Sequence, residues 1–399
     1  MVSNVELKKR IKYNKNKKKK KKKTKISIDR DNGVYVAVIL LVLIGLLLVF
    51  TSSSYYALYE QGDLYFFIKK QAMWAIIGLG FMSLFARVDY HFLRKFTWPL
   101  AGGTLGLLEL VLAIGKEING AKRWIEVGGL SIQPSEIAKY AVVFILAHVI
   151  VKMGKEIKTI KNGIFLPLSI GAIFAVLVLA EKNLSITVVI AMVTYFMIMV
   201  AGANIRVLLG LIPVGFLGGL VLIIIEPYRL ERLTTYLNPW ADQSDSGYQL
   251  VHSLMAIGSG GVTGQGLGNS MQKALYMPEP HNDFIFAILA EEFGLLGCIF
   301  VIGLFVFLII SAIKVAMQAK DIYGRLLAVG ITLVIAIQAI INISVVTGSI
   351  PVTGVPLPFI STGGTSLLIN LVAMGVLLNI AKQGKKNRID GEDNLRVIR

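Results

Sequence analysis

Ten apolar blocks, each about as long as a helix must be to cross a hydrocarbon layer, constrain this chain more than any other feature. They fall at 34–51, 70–86, 94–114, 135–151, 163–180, 184–201, 206–226, 283–313, 326–347 and 364–381. A run of roughly 18 apolar residues spans a bilayer as a helix. The blocks are continuous rather than alternating, which argues against a β-barrel. With 55% of 399 residues hydrophobic, the expected fold is an all-α polytopic membrane protein of about ten transmembrane helices. No fixed-period internal repeat is visible.

The net charge of +17 suggests nucleic acid until its location is considered. Much of it lies in a low-complexity stretch over 1–33, with an unbroken lysine run at 17–23. That stretch reads as a basic, disordered cytoplasmic tail suited to anionic lipid headgroups. The apolar block behind it leads to no small-residue cleavage site and reads as a first span, not a removed signal. Elsewhere Lys and Arg cluster in alternate loops, at 87–95, 152–162, 202–206 and 314–325, and again after 382. By the positive-inside rule both termini are cytoplasmic. The domain layout is then 1–33 tail, 34–382 ten-helix domain with a large outer loop at 227–282, and 383–399 cytoplasmic tail. Two basic groups break the rule by lying outside, Lys122 with Arg123 and Arg229 with Arg232. They are candidates for holding an anion. Cys298 is the single cysteine, so neither a disulfide nor a thiol-metal site is expected.

Several outer segments carry polar chemistry. In the large loop, Leu250, Val251, Leu254 and Ile257 share one helical face, which suggests an amphipathic helix on the membrane surface. The glycine-rich GSGGVTGQGLG at 258–268 matches neither dinucleotide nor Walker loops. It reads as a flexible turn or as a backbone cradle for a lipid-linked phosphate. QPSEIAK at 133–139 opens the fourth span, with Glu136 and Lys139 on one face as a salt bridge or facing a polar cavity. Trp124 reads as an interface anchor. The stretch GSIPVTGVPLPFISTGGTS at 348–366, which contains Ser361, cannot be regular helix and reads as a re-entrant element shaping a cavity. Gln338, Asn342 and Asn370 read as interhelical hydrogen-bonding groups.

The stretch PEPHNDFIFAILAEEFG at 278–294 places acidic residues at the mouth of a hydrophobic helix, a costly position that needs a reason. Asn282 or Asp283 reads as an N-cap of the eighth span, the competing reading of Asp283 being a functional carboxylate. His281, Asp283, Glu291 and Glu292 gather near one helix entrance, and helical spacing lets Asp283 and Glu291 face one cavity. Two ligands, His281 and Asp283, do not by themselves make a metal site.

Five ordered segments together carry a family resemblance: RWIEVGGLSIQPSEIAK, RLTTYLNPWAD, GYQLVHSLMAIGSGGVTGQGLGNSMQK, MPEPHNDFIFAILAEEFGLLG and PVTGVPLPFISTGG. The chain resembles the SEDS family (shape, elongation, division and sporulation proteins), nearer its FtsW/SpoVE branch than its RodA branch. The resemblance implies a peptidoglycan glycosyltransferase in the bacterial cell membrane, at the septum or forming spore. Such a protein polymerises lipid II on the outer face, releases undecaprenyl pyrophosphate, and works with a class B penicillin-binding transpeptidase and other division or sporulation membrane proteins. Nucleic acid is not an expected partner. The resemblance places the essential aspartate on Asp283 and the fourth-span pair on Glu136 and Lys139. A carboxylate at the membrane mouth can take the proton of an attacking sugar hydroxyl. Lys122, Arg123, Arg229, Arg232 or a divalent cation (Mg2+ or Mn2+) can stabilise the leaving diphosphate. Trp124, His281, Glu291 and Ser361 complete the candidate substrate-binding residues. The family usually reads PDLGT where this chain has Lys182, Asn183, Leu184, Ser185, Ile186 and Thr187, with Lys182 where proline is usual and Asn183 in place of the acid, so a carboxylate is missing there. Ser349 and Thr362 also depart from the usual closing motif. A lipid II flippase or transporter, or a non-catalytic scaffold for the transpeptidase, are the competing readings.

Overall fold

The computed structural model describes residues 33–118, 120–128, 130–241, 247–273, 277 and 280–398. The basic tail expected over 1–33 lies outside them except for Gly33, as do Pro278 and Glu279 of the acidic mouth. The apolar blocks form the helices α1 (Gly33–Gln61), α2 (Phe66–Phe85), α3 (Tyr90–Lys95) with α4 (Thr97–Ile114), α5 (Pro134–Met153), α6 (Leu166–Ala180), α7 (Leu184–Val200), α8 (Ile205–Ile225), α11 (Ile285–Gln318), α12 (Ile322–Val346) and α13 (Gly364–Ile398). Two helices, α9 (Pro227–Leu237) and α10 (Tyr248–Gly260), lie in the large outer segment. Among the described residues eight helices are long and apolar enough to cross a membrane. Of the remaining two blocks, α7 has 17 residues, or about 26 Å at 1.5 Å per residue, and α2 carries Lys69 and Lys70 in its first turns.

α1 continues ten residues past its apolar block. There the Thr51, Ser52 and Ser54 hydroxyls donate to carbonyls one turn back, which satisfies them without water. α5 and α12 form the centre, with 61% and 67% of their apolar windows buried, whereas α8 has 6%. α8 therefore stands at the lipid-facing side of the bundle. The segment between α4 and α5 is a three-stranded antiparallel sheet of β1 (Lys116–Ile118), β2 (Ala121–Val127) and β3 (Leu130–Ile132). The expected surface helix is present as α10, but it packs on α11 and α12 and buries Leu250 and Val251 against protein rather than lipid.

The eighth block is not one straight span. Gly294, with φ 63 and ψ −163, breaks α11 after Phe293. The break strands carbonyls at the end of one half-helix and amides at the start of the other. The glycine-rich loop supplies their partners. Gln265 and Gly266 donate N–H groups to the Glu291 and Glu292 carbonyls at 2.9 and 3.0 Å, while the Gly261 and Val262 carbonyls accept from Leu295 and Leu296 at 2.9 and 3.2 Å. This four-bond splice commits the Gln265 and Gly266 amides, two of those a phosphate cradle over 258–268 would use, to protein carbonyls, and it gives the glycine-rich loop a structural role. Close approach requires glycine on both sides of the splice: a Cβ on Gly260 would run into the Ala290 carbonyl oxygen, one on Gly264 into the Glu292 carbonyl oxygen, and one on Gly294 would stand 2.6 Å from the Val262 carbonyl oxygen.

Gly294→Ala should therefore destabilise the protein by about 1–3 kcal/mol or more, since it combines a left-handed φ with a backbone clash. A lowered midpoint of thermal unfolding in detergent is the expected result; an unchanged midpoint would show that the splice tolerates a side chain.

Candidate functional site

The outer ends of α7, α8, α9 and α12, the proline-rich stretch and β2 enclose a cavity of about 500 Å³. Its walls have two characters. Leu184, Val188 and Met192 of α7, Ile223 of α8 and Ile341 of α12 form an apolar slot. Arg123, Lys182, Arg229 and Arg232 form a cationic rim, and Asp283 is the single carboxylate among the lining residues.

Each rim cation is placed by local structure. In β2, side chains alternate between faces. Ala121 and Ile125 are buried, so Arg123 between them turns inward, while Lys122, Trp124 and Glu126 take the other face. Arg123 donates to the Glu181 and Lys182 carbonyls at 3.3 and 2.5 Å. Burial draws its guanidinium below the ordinary value and Arg232 adds to this, while Tyr228, Glu181 and Asp283 oppose it. α9 starts at Pro227, where the missing N–H costs nothing. Arg229 and Arg232, three residues apart, share a face with the Tyr228 ring between them, 5.4 and 5.9 Å from the two guanidinium carbons. Arg229 donates to the Leu222 carbonyl at 2.8 Å, and Arg232 to the Val352 carbonyl at 3.2 Å.

Asp283 sits one residue before Phe284, the N-cap of α11, so it is not itself the capping residue. Its backbone is clamped instead. Asn342 donates one amide to the Asp283 carbonyl at 2.7 Å and to the Val355 carbonyl at 2.8 Å. Asn342 thus ties the acidic mouth to the proline-rich element, which lines the cavity through Ile350–Gly354. Ser185 also donates to the Thr353 carbonyl. Of the stretch expected over 348–366 to be non-helical and cavity-shaping, the residues through Gly363 are non-helical and Ile350–Gly354 line the cavity, whereas Gly364, Thr365 and Ser366 already open α13.

Four predicted site residues meet at the cavity: Arg123, Arg229, Arg232 and Asp283. The others lie elsewhere. Lys122 and Trp124 face away from it. His281 is 2% exposed and packs against the Tyr56 and Phe67 rings at 5.6 and 4.3 Å. Burial pushes its imidazole down to about 4, so it is neutral at pH 7. Glu291 does not share a cavity with Asp283, because it accepts from the Ser270 hydroxyl and from the Met271 N–H at 2.9 Å. Glu292 pairs with Lys273 at 2.7 Å, buried. Ser361 accepts from the Leu357 N–H at 2.8 Å, a turn within the proline-rich element. Glu136 and Lys139 form a buried pair at 2.8 Å, beside the Tyr140 hydroxyl, which donates to Asn370 at 2.6 Å. Among the described residues no three His, Cys, Asp or Glu side chains converge as a metal site.

Lys182, Ser185, Tyr228 and Thr353 line the cavity without having been expected as site residues, although Lys182 and Ser185 stood out as departures from the family pattern. The signal for Lys182 was its place at a departure from the family pattern. It has φ 57, in a region closed to proline, whose ring fixes φ near −65°. The departure therefore changes the backbone path as well as the charge. Asn183, in place of the usual acid, caps α7 by accepting from the Ile186 N–H at 3.3 Å.

Removing one member of the buried Glu136–Lys139 pair strands the other. Lys139→Met should cost about 3–5 kcal/mol, and the double change Glu136→Gln, Lys139→Met should recover most of it. Thermal unfolding of the two variants in detergent checks this; equal losses in both would show that the pair is not coupled.

Comparison with known proteins agrees with the architecture. The model of the FtsW, RodA and SpoVE family, described as cell cycle protein, matches residues 32–386. The chain is 44% identical to the stage V sporulation protein E of Bacillus subtilis over 349 residues, covering 86% of this chain and 94% of that protein. It is 39% identical over 339 residues to a probable peptidoglycan glycosyltransferase FtsW of Geobacter sp. (strain M18), covering 84% and 92%. Among solved structures, a chain from work on the structural coordination of polymerization and crosslinking by a peptidoglycan synthase complex superposes with a TM-score of 0.74 at 27% identity, covering 88% of this chain and 97% of that one. The rod shape determining protein RodA of Thermus thermophilus superposes with a TM-score of 0.65 at 25% identity, covering 90% and 98%. A family match over nearly the whole helical bundle, with the same fold in solved relatives, shows that the chain belongs to the FtsW/RodA/SpoVE family of multi-pass membrane proteins.

Proposed function

We propose that this chain is a peptidoglycan glycosyltransferase that polymerises lipid II on the outer face of the cytoplasmic membrane. The observation that carries the reading is one carboxylate, Asp283, in a cavity with a cationic rim and an apolar slot. That combination suits an amphiphile with an anionic head: the slot takes the polyprenyl tail and the rim takes the diphosphate. α8, only 6% buried over its apolar window, leaves that side of the cavity near the lipid.

The chemistry follows from the groups present. The acceptor 4-hydroxyl attacks the anomeric carbon of the donor sugar, and Asp283 takes its proton. The bond from the anomeric carbon to the diphosphate oxygen breaks, and its electron pair leaves with the polyprenyl diphosphate. The diphosphate is already a good leaving group, so no strong general acid is needed. Arg123, Arg232 and Lys182 offset the charge it gains. A divalent ion, Mg2+ or Mn2+, would bind mainly through the substrate's phosphates and water, since Asp283 is the single carboxylate lining the cavity, and would supply further charge to the leaving diphosphate. One catalytic carboxylate distinguishes this transfer from two-carboxylate glycoside hydrolysis.

The relatives named for division and sporulation support a role in septal or spore-wall synthesis. The related peptidoglycan synthase complex supports a penicillin-binding transpeptidase as partner. Synthesis of glycan polymer from lipid II by the purified protein with that partner tests the reading. Asp283→Asn is expected to lower the rate by about 10²–10⁴-fold without changing thermal unfolding. Lipid movement across vesicles with no polymer would overturn the enzyme reading in favour of transport.

A further inference from the structure

Behind the cationic rim lies a carboxyl that the mechanism above does not use. Glu181, between α6 and α7, is 1% exposed, and among the described residues neither of its side-chain oxygens makes a hydrogen bond of ordinary geometry. A buried carboxylate without partners is costly and needs a reason. Its neighbours are few. The Ser135 hydroxyl approaches from α5 and the Arg123 guanidinium from β2. The two helices it joins, α6 and α7, contain no charged residue, and the Lys182 side chain is exposed. Glu136 and Lys139, further along α5, are paired with each other. Arg123 is thus the charged group acting on Glu181, and it is fastened to the Glu181 main chain through the carbonyl at 3.3 Å. Arg123 in turn lines the cavity with Asp283.

We propose that Glu181 is a titratable countercharge to Arg123: protonated, it leaves the guanidinium available to an anionic diphosphate, and ionised, it competes with that diphosphate for the same cation. Glu181 is then a positioning residue that sets the charge of the rim without touching substrate. The proposal rests on the reading of the cavity as a diphosphate site. Burial pushes the Glu181 carboxyl up to about 8, against the smaller opposing pulls of Ser135 and Arg123. At neutral pH the carboxyl is therefore mostly neutral, and the rim keeps its full positive charge. As pH rises through about 8 the carboxylate forms and the hold on the diphosphate weakens. By linkage, a bound diphosphate raises the Glu181 pKa further, because it draws on the cation that stabilises the ionised form.

The test measures binding of farnesyl diphosphate, a short polyprenyl diphosphate, to the full-length protein in detergent between about pH 7 and about pH 9, a unit either side of the Glu181 midpoint. The probe's own ionisation affects every variant equally, so the comparison with Glu181→Gln isolates the carboxyl. Wild-type affinity should fall by about fivefold or more relative to E181Q across that range. Glu181→Met is the second variant: a neutral side chain replacing an unbonded buried carboxyl should fold at least as stably as wild type, and it should show the same flattened profile. Binding with parallel pH curves for wild type and both variants overturns the role of Glu181 alone. No binding of the probe at any pH overturns the diphosphate reading itself. Diverging curves in a preparation that makes no polymer would uphold this inference and sink only the enzymatic one.

Discussion

Backbone amides buried in an apolar bundle have little water to bond, and this fold leaves helical geometry twice beside the site, at Gly294 within α11 and over the proline-rich stretch between α12 and α13. Every other feature of the site depends on how those breaks are satisfied. At Gly294 the partners come from the glycine-rich loop, which gives two N–H groups and two carbonyls to the severed ends of α11. Over the proline-rich stretch, Asn342 spends both amide hydrogens on the carbonyls of Asp283 and Val355. An unsatisfied backbone group in such surroundings costs several kcal/mol, on the order of the stability of many domains. The two repairs hold the acidic mouth and the opposite cavity wall in one arrangement, which a reacting geometry requires.

The charges divide into two kinds. Glu136 with Lys139 and Glu292 with Lys273 are buried, paired and closed to the cavity. They join α5 internally and the loop to α11. The rim cations are different: Arg123, Arg229 and Arg232 bond mainly to backbone carbonyls and to a tyrosine ring. A neutral dipole orients a guanidinium without cancelling its charge, so the rim keeps a net positive potential facing one carboxylate. The same low-dielectric setting that strengthens these interactions makes Glu181 sensitive to protonation.

Much of the bundle was legible because apolar length is a property of consecutive residues. The ten blocks reappear as helices, and Asp283, Arg123, Arg229 and Arg232 were visible as charges placed where charge is expensive or against the loop rule. What was not legible depended on pairs distant in sequence. Lys122 and Arg123 are indistinguishable as neighbours until strand pairing turns them to opposite faces. Glu291 has helical spacing from Asp283, yet Ser270 and Met271 claim its oxygens from another segment. The glycine-rich loop had the composition of an anion cradle, but only its approach to Gly294 shows that two of its amides and two of its carbonyls splice the broken helix.

The chain by itself determined the order of the apolar helices and the presence of a carboxylate at a hydrophobic mouth, and its loop charge set the expected orientation. These rest on local transfer energies and on charge counts, which need no partner. Tertiary structure alone decided which charges share the cavity, that the eighth span is cut and respliced, and that Glu181 is sealed beside Arg123. Those outcomes turn on burial and on hydrogen bonds between segments far apart in the chain, and no run of consecutive residues encodes them.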